Sequence, residues 1–236
     1  MSRKSRESGK CRRGDRVKSN ILSPSPLFEN ISEPEFRSML GCVGYRTETY
    51  DKGGIIILES DSVKRVGVVI SGAVHMVKED IWGNNTLVAH IGVGEIFGET
   101  FVFGSIDRSA VTFTAAENSE IAFLNFDKVV HSCGQSCPHH RKLADNMIHM
   151  IADKNLRLME KIEITSKKTL REKILSYLSV QSQRCGKTYF EIPLGRVELA
   201  NYLCADRSAL TRELNTMRDE GIIDFDKNTF RILNMK

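Results

Sequence analysis

At 236 residues the chain is long enough for two modest domains and a connector, and its 41% hydrophobic and 27% charged residues are ordinary for a soluble globular protein. No apolar run is long enough to span a bilayer, and the basic N-terminus has no apolar segment behind it, so a membrane span and a secretory signal are excluded and a cytoplasmic protein is expected. The net charge of +4 is too small to argue for nucleic acid, but its distribution is uneven: +6 over residues 1–20, −7 over 21–130, +1 over 131–165 and +4 over 166–236. An acidic middle between basic ends suits a chain whose C-terminal part meets phosphate. The cysteines, Cys11, Cys42, Cys133, Cys137, Cys185 and Cys204, are scattered and read as free thiols of a reducing compartment.

Residues 1–20 carry almost no aliphatic side chain and are expected to form a disordered basic tail. A short helix follows within 21–40, where Ser32 precedes Glu33, Pro34 and Glu35 as an N-cap precedes a first turn; Phe28, Phe36, Met39 and Leu40 are its inward set. From about 43 to 127 the texture is β. Runs at 55–58, 66–70, 73–77, 87–91, 111–115 and 121–124 are separated by Gly and Asx turns, which predicts an all-β sandwich or barrel.

Helical spacing returns over 138–164. Ile148, Ile151, Asn155, Leu158 and Ile162 form an a/d seam whose single Asn favours a two-stranded parallel pairing with a second copy; burial inside one chain is the alternative. Leu143, Met147 and Met150 form a second apolar line that can pack on the barrel. Another amphipathic helix spans 168–181, with Leu170, Ile174, Leu175 and Leu178 on its apolar side, and 189–193 reads as a short strand.

The strongest pattern lies in 194–220. Val197, Leu199, Ala200 and Leu203 make a short helix, Cys204-Ala205 a tight turn, and Asp206 the cap of a second helix held by Leu210, Leu214 and Met217. That helix presents Arg207, Ser208, Thr211, Arg212 and Asn215, which suit guanine edges, other base edges and phosphates. The last two apolar runs, joined by an Asp-Lys-Asn turn, form a wing with Lys227 near its tip.

Two motifs, spanning Arg196 to Arg212 and Gly94-Glu95-Ile96-Phe97-Gly98-Glu99 with Arg108-Ser109-Ala110 beyond it, resemble the catabolite activator and fumarate-nitrate regulator (CRP/FNR) superfamily, and the resemblance covers residues 27–233. It implies an α+β fold: an N-terminal jelly-roll barrel (a double-stranded β-helix) of the cyclic-nucleotide-binding kind, a long dimerisation helix and a C-terminal winged helix-turn-helix. The expected boundaries are 1–20 for the tail, 21–137 for the effector-sensing barrel, 138–164 for the dimerisation helix and 165–236 for the DNA-binding domain.

The resemblance further implies a homodimer on a palindromic operator in double-stranded DNA, contact with RNA polymerase, and control by a small effector in the barrel. Arg196, Asp206, Arg207, Ser208, Thr211, Arg212, Asn215 and Lys227 are the candidate DNA residues. If the cassette takes a cyclic nucleotide, Arg108 and Ser109 meet the phosphate, Glu99 accepts from the ribose and Gly98 lets the backbone approach. A different ligand, or an internal Glu99–Arg108 pair, is the alternative. Two positions depart from the family: Ser208 stands where Glu is frequent, and Cys204 where Gly is usual, at a turn prone to positive φ.

Cys133, Cys137 and His139 form a separate candidate cluster for a metal or a redox disulfide, or a plain loop with free thiols. No phosphate-binding Walker loop, zinc-protease His-Glu-x-x-His or Gly-x-Ser-x-Gly elbow is found, so no enzyme is expected. The competing readings are a cyclic-nucleotide module acting on a partner protein and a thiol or metal redox sensor built on Cys133 and Cys137.

Overall fold

The alternation of short apolar runs with tight turns folds as two four-stranded antiparallel sheets packed on each other. The computed structural model describes residues 25–126 and 138–233, except the side chains of residues 38, 40–42, 138 and 139. The basic tail and the Cys133, Cys137 and His139 side chains fall outside the described residues.

A 3₁₀ turn, Pro26–Phe28, and helix α1, Glu33–Val43, open the described chain. Strands β1 Tyr45–Tyr50, β2 Ile55–Ile57, β3 Val66–Ser71, β4 Val74–Glu79, β5 Asn85–Ile91 and β6 Ile96–Phe97 follow. Helix α2, Glu99–Phe103, precedes β7 Thr112–Ala115 and β8 Ser119–Leu124. Then come the long helix α3, Pro138–Thr165, and α4, Leu170–Cys185. Strand β9 Tyr189–Glu191, helices α5 Arg196–Tyr202 and α6 Arg207–Asp219, and strands β10 Ile223–Asp226 and β11 Thr229–Ile232 complete the order. By Cα proximity the chain divides into two units: residues up to Glu79 with Val88–Asp153, and Asp80–Leu87 with the chain from Lys154 onward.

In the first unit the sheets are ordered β1-β8-β3-β6 and β2-β7-β4-β5. Val69, Ile121, Phe123 and Phe97 from one pack with Ile57, Val74, Ile91 and Phe113 from the other. Phe97 is at the centre, with ring centroids 5.1 Å from Phe113 and 6.1 Å from Phe123. Gly67 is required there, because a Cβ would stand 2.3 Å from the Phe97 ring.

The outer face of the first sheet is also covered. Val66, Val68, Ala122 and Leu124 join Phe28, Phe36, Met39 and the α3 residues Leu143, Met147 and Met150 in a second core. Burial on both faces explains why β3 and β8 read as nearly continuous apolar runs. Helix α3 is tied down by Asn146, whose amide donates to the carbonyls of Leu27 at 3.0 Å and Glu29 at 2.9 Å.

In the second unit β9 joins the wing as a three-stranded sheet ordered β10-β11-β9. Helix α4 starts in a capping box, with Thr169 accepting from the Glu172 amide and Glu172 reaching back, and stops at Gly186 in the left-handed conformation. It runs beyond the 168–181 expected for it. Its buried residues include Ile174, Tyr177 and Leu178, whereas Leu175 stays exposed. Strand β1 and helix α2 were not expected from the sequence.

Candidate DNA interface and effector cassette

The candidate reading surface is built on two short helices. Leu199, Ala200 and Leu203 on the first, and Leu210, Leu214 and Met217 on the second, are each at most 2% exposed. The small Ala200 lets the backbones approach, and its carbonyl accepts from the Ala205 amide at 3.0 Å to close the turn. Cys204 takes φ +51°, the left-handed region that favours glycine.

Asp206 caps α6, its carboxylate accepting from the Ala209 amide at 2.9 Å. That bond, followed by those to Ser208, holds its carboxyl below the usual carboxylate range. The cap therefore acts fully above the ordinary Asp range near pH 4 and is lost as pH falls through the lowered value.

With the apolar side buried, Arg207, Ser208, Thr211 and Arg212 are exposed on α6 and Asn215 is partly so. The Thr211 hydroxyl donates to the Arg207 carbonyl at 2.9 Å. Lys227 is exposed at the wing turn with φ +50°. Arg196 is placed differently from this group. Its guanidinium lies 5.1 Å from the Phe225 ring centroid and 5.8 Å from that of Phe230, and donates to the Lys227 carbonyl at 3.1 Å. Burial lowers its pKa, so its visible work is to hold the wing against α5.

Arg171 was not among the expected residues. From α4 its Nε donates to Glu213 at 2.6 Å and its two terminal nitrogens to Glu220 at 2.7 and 2.9 Å. This fork pins α6 along its length. The partners lie 42 and 49 residues away, so no local pattern marks them.

The cassette forms the β6–α2 corner. Gly98 has φ +81°, and a Cβ there would come 3.3 Å from Val63 and 3.4 Å from the Arg65 carbonyl. Glu99 is 4% exposed and accepts from the Thr100 hydroxyl at 3.3 Å. Arg108 is exposed and donates to the Ser60 carbonyl at 2.9 Å. Ser109 is buried, and its hydroxyl donates to the Val111 carbonyl at 2.5 Å. Backbone bonds of Ser60 and Ser109 stitch this segment to residues 60–63. A cyclic nucleotide fits this site in part. Gly98 and Glu99 form a close-packed corner, while the Ser109 hydroxyl has spent its proton on the Val111 carbonyl and Arg108 leans on Ser60.

On α3, Ile148, Ile151, Leu158 and Ile162 are 39–66% exposed, and Asn155 is exposed in the same row. Leu156, 57% exposed, and Arg157 are exposed beside this row. Among the described residues no three His, Cys, Asp or Glu side chains are grouped to hold a metal ion, and no helix is long and apolar enough to cross a membrane.

Residues 47–135 match the model of the cyclic nucleotide-binding domain, and 172–236 that of the Crp-like helix-turn-helix domain. The chain is 23% identical over 212 residues to the cyclic AMP receptor protein of Thermus thermophilus, covering 89% of this chain and 94% of that one. It is 24% identical over 185 residues to the transcriptional activator protein FnrL of Cereibacter sphaeroides, covering 74% and 71%. Among solved structures it is similar to the global regulator CLP of Xanthomonas campestris, described as c-di-GMP responsive, with TM-score 0.70, 17% identity and coverage of 86% and 100%. FixK2 of Bradyrhizobium japonicum follows with TM-score 0.64, 20% identity and coverage of 80% and 93%. The paired domains, in this order and with these relatives, place the chain in the CRP/FNR family of DNA-binding transcription regulators.

Proposed function

We propose that this regulator is a cytoplasmic homodimer that reads a palindromic operator through α6 and is controlled by a small effector in the barrel. The observation that carries the DNA reading is the exposed row Arg207, Ser208, Thr211 and Arg212 on a helix whose opposite side is sealed by Leu210, Leu214 and Met217. Arginine forks pair with guanine edges, hydroxyls meet base edges or phosphate, and the free amides at the α6 start suit a phosphate oxygen. Arg212 is the principal base-reading residue in this account, with Lys227 and Asn215 as flanking contacts. Arg196 acts through the wing.

Pairing runs along Ile148, Ile151, Asn155, Leu158 and Ile162. An exposed apolar row interrupted by one Asn suits an identical helix whose own Asn supplies the amide partner. Two copies related by a two-fold axis would set two α6 helices on successive major-groove faces, which is why the operator should be palindromic. RNA polymerase is the partner that such a bound dimer contacts.

The effector site is the Gly98–Glu99 corner with Arg108 and Ser109. For a cyclic nucleotide to dock, Arg108 must leave the Ser60 carbonyl and the Ser109 hydroxyl must turn from Val111. That exchange of internal for ligand bonds gives an effector differential affinity for two states of the barrel. Selection of bound DNA from a random pool, with and without cyclic AMP, tests the whole reading. A palindromic consensus is expected. A pool that stays random would overturn DNA reading, and a consensus or affinity unchanged by cyclic AMP would remove cyclic AMP as the effector.

A further inference from the structure

Lys161 sits in the penultimate turn of α3 and is only 9% exposed, a rare place for an ammonium. Its Nζ donates to the carbonyl of Leu87 and lies 4.3 Å from the Tyr202 ring centroid. Leu87 is a β5 residue at the end of the stretch 80–87, the β4–β5 turn and the start of β5, that groups with the C-terminal unit. Tyr202 is the last residue of α5, two residues before the left-handed Cys204 and four before the α6 cap. Tyr177 of α4 packs against Tyr202, with ring centroids 5.3 Å apart. One amine thus touches β5 and the last residue of α5, just ahead of the turn that leads into α6.

We propose that Lys161 is a positioning residue for DNA reading: its terminal nitrogen clasps Leu87 to Tyr202, and the tightness of that clasp sets the position from which α6 meets DNA. The proposal rests on α6 being the reading helix.

The chemistry makes the clasp adjustable. Burial is the larger influence and pushes the Lys161 amine down to about 8, with the Cys204 thiol acting in the opposite sense. The Leu87 carbonyl and the Tyr202 face do not fully replace water around a charge. A folded pKa below the ordinary lysine value means that the docked amine binds fewer protons than a released one. The clasp therefore tightens as pH rises through about 8 towards the free-lysine range, and loosens below it. The neutral amine still donates to Leu87. Of the ionisable groups around it, Tyr202 lies under it with its pKa raised by burial, and Arg184 and Glu160, paired with each other, act on Tyr202 in opposite senses. Tyr177 is likewise raised by burial, so both phenols stay neutral over this range.

Trp82, the chain's one tryptophan, lies in the β4–β5 turn five residues before Leu87, 79% exposed, and reports on this stretch. The test follows Trp82 anisotropy in the full-length protein, and affinity for a selected operator, from pH 7 to 9.5 in wild type, Lys161→Met, Lys161→Arg and Cys204→Ser. Wild type should show rising anisotropy with a midpoint near 8 and an operator affinity that changes about threefold or more over the same interval. Lys161→Met, which has neither a proton to lose nor a nitrogen to donate, should be flat at or below the low-pH level. Lys161→Arg should be flat at the low-pH level, and Cys204→Ser should still titrate. Anisotropy that does not titrate would overturn the clasp. Anisotropy that titrates beside operator affinity identical in wild type and Lys161→Met would overturn its positioning role. Wild type that binds no operator at any pH would overturn α6 as the reading helix, and the positioning role with it.

Discussion

The helix-turn-helix and the barrel cassette both keep their family motifs, yet they use them in opposite ways. On α6 the residues that suit DNA point outward, and the work of holding them there falls to others: Asp206 at the cap, Leu210, Leu214 and Met217 beneath, Arg171 alongside. In the cassette the residues that suit a phosphate are turned to their own backbone, Arg108 to Ser60 and Ser109 to Val111. The proposed reading surface is presented ready-made, whereas the cassette would have to trade internal bonds for a ligand. A motif therefore marks a corner of the fold first, and a binding site only where its polar atoms remain available.

Four substitutions sharpen or break this comparison. Phe97→Ala removes the aromatic centre of the barrel and should cost about 3–5 kcal/mol, read as loss of the unfolding transition of the N-terminal unit. A much smaller cost would mean that the corner carrying Gly98 and Glu99 is not anchored by that core. Arg212→Ala should cost about 1–3 kcal/mol of discrimination between operator and random duplex, with the melting temperature unchanged. Cys204→Gly relieves a non-glycine residue at positive φ in an exposed turn, so it should stabilise the C-terminal unit by about 1 kcal/mol in denaturant melts. Arg108→Ala should leave effector-free operator affinity and stability within about 0.5 kcal/mol of wild type, because the side chain is exposed and makes one backbone bond. A large loss of effector-free affinity in Arg108→Ala would show that the cassette, like α6, is already engaged.

What could be read in the sequence followed from periodicity and short-range chemistry. The apolar runs between Gly and Asx turns gave the barrel. The Ala200, Cys204 and Asp206 positions gave the helix-turn-helix, with the positive φ at Cys204 anticipated from the family's glycine. What stayed hidden had no local signature. Strand β1, Tyr-Arg-Thr-Glu-Thr-Tyr, is held by its register with β8, so its own composition reads as polar loop. Leu175 looks apolar and inward but faces out, because the buried stripe of α4 runs through Ile174, Tyr177, Leu178 and Ser182 and leaves it at the edge. The fork of Arg171 and the clasp of Lys161 join residues tens of positions apart. Arg196 was read as a DNA contact, and its packing against the Phe225 and Phe230 rings, far along the chain, had no local mark.

The most direct test of the account is the ratio of affinities for a selected palindromic duplex and a scrambled one, measured at fixed salt for wild type and Arg212→Ala with melting curves taken in parallel. Presentation of α6 as the reading surface predicts a ratio that falls by about fivefold or more in the variant while both proteins melt alike. An undiminished ratio in a folded Arg212→Ala protein would contradict it.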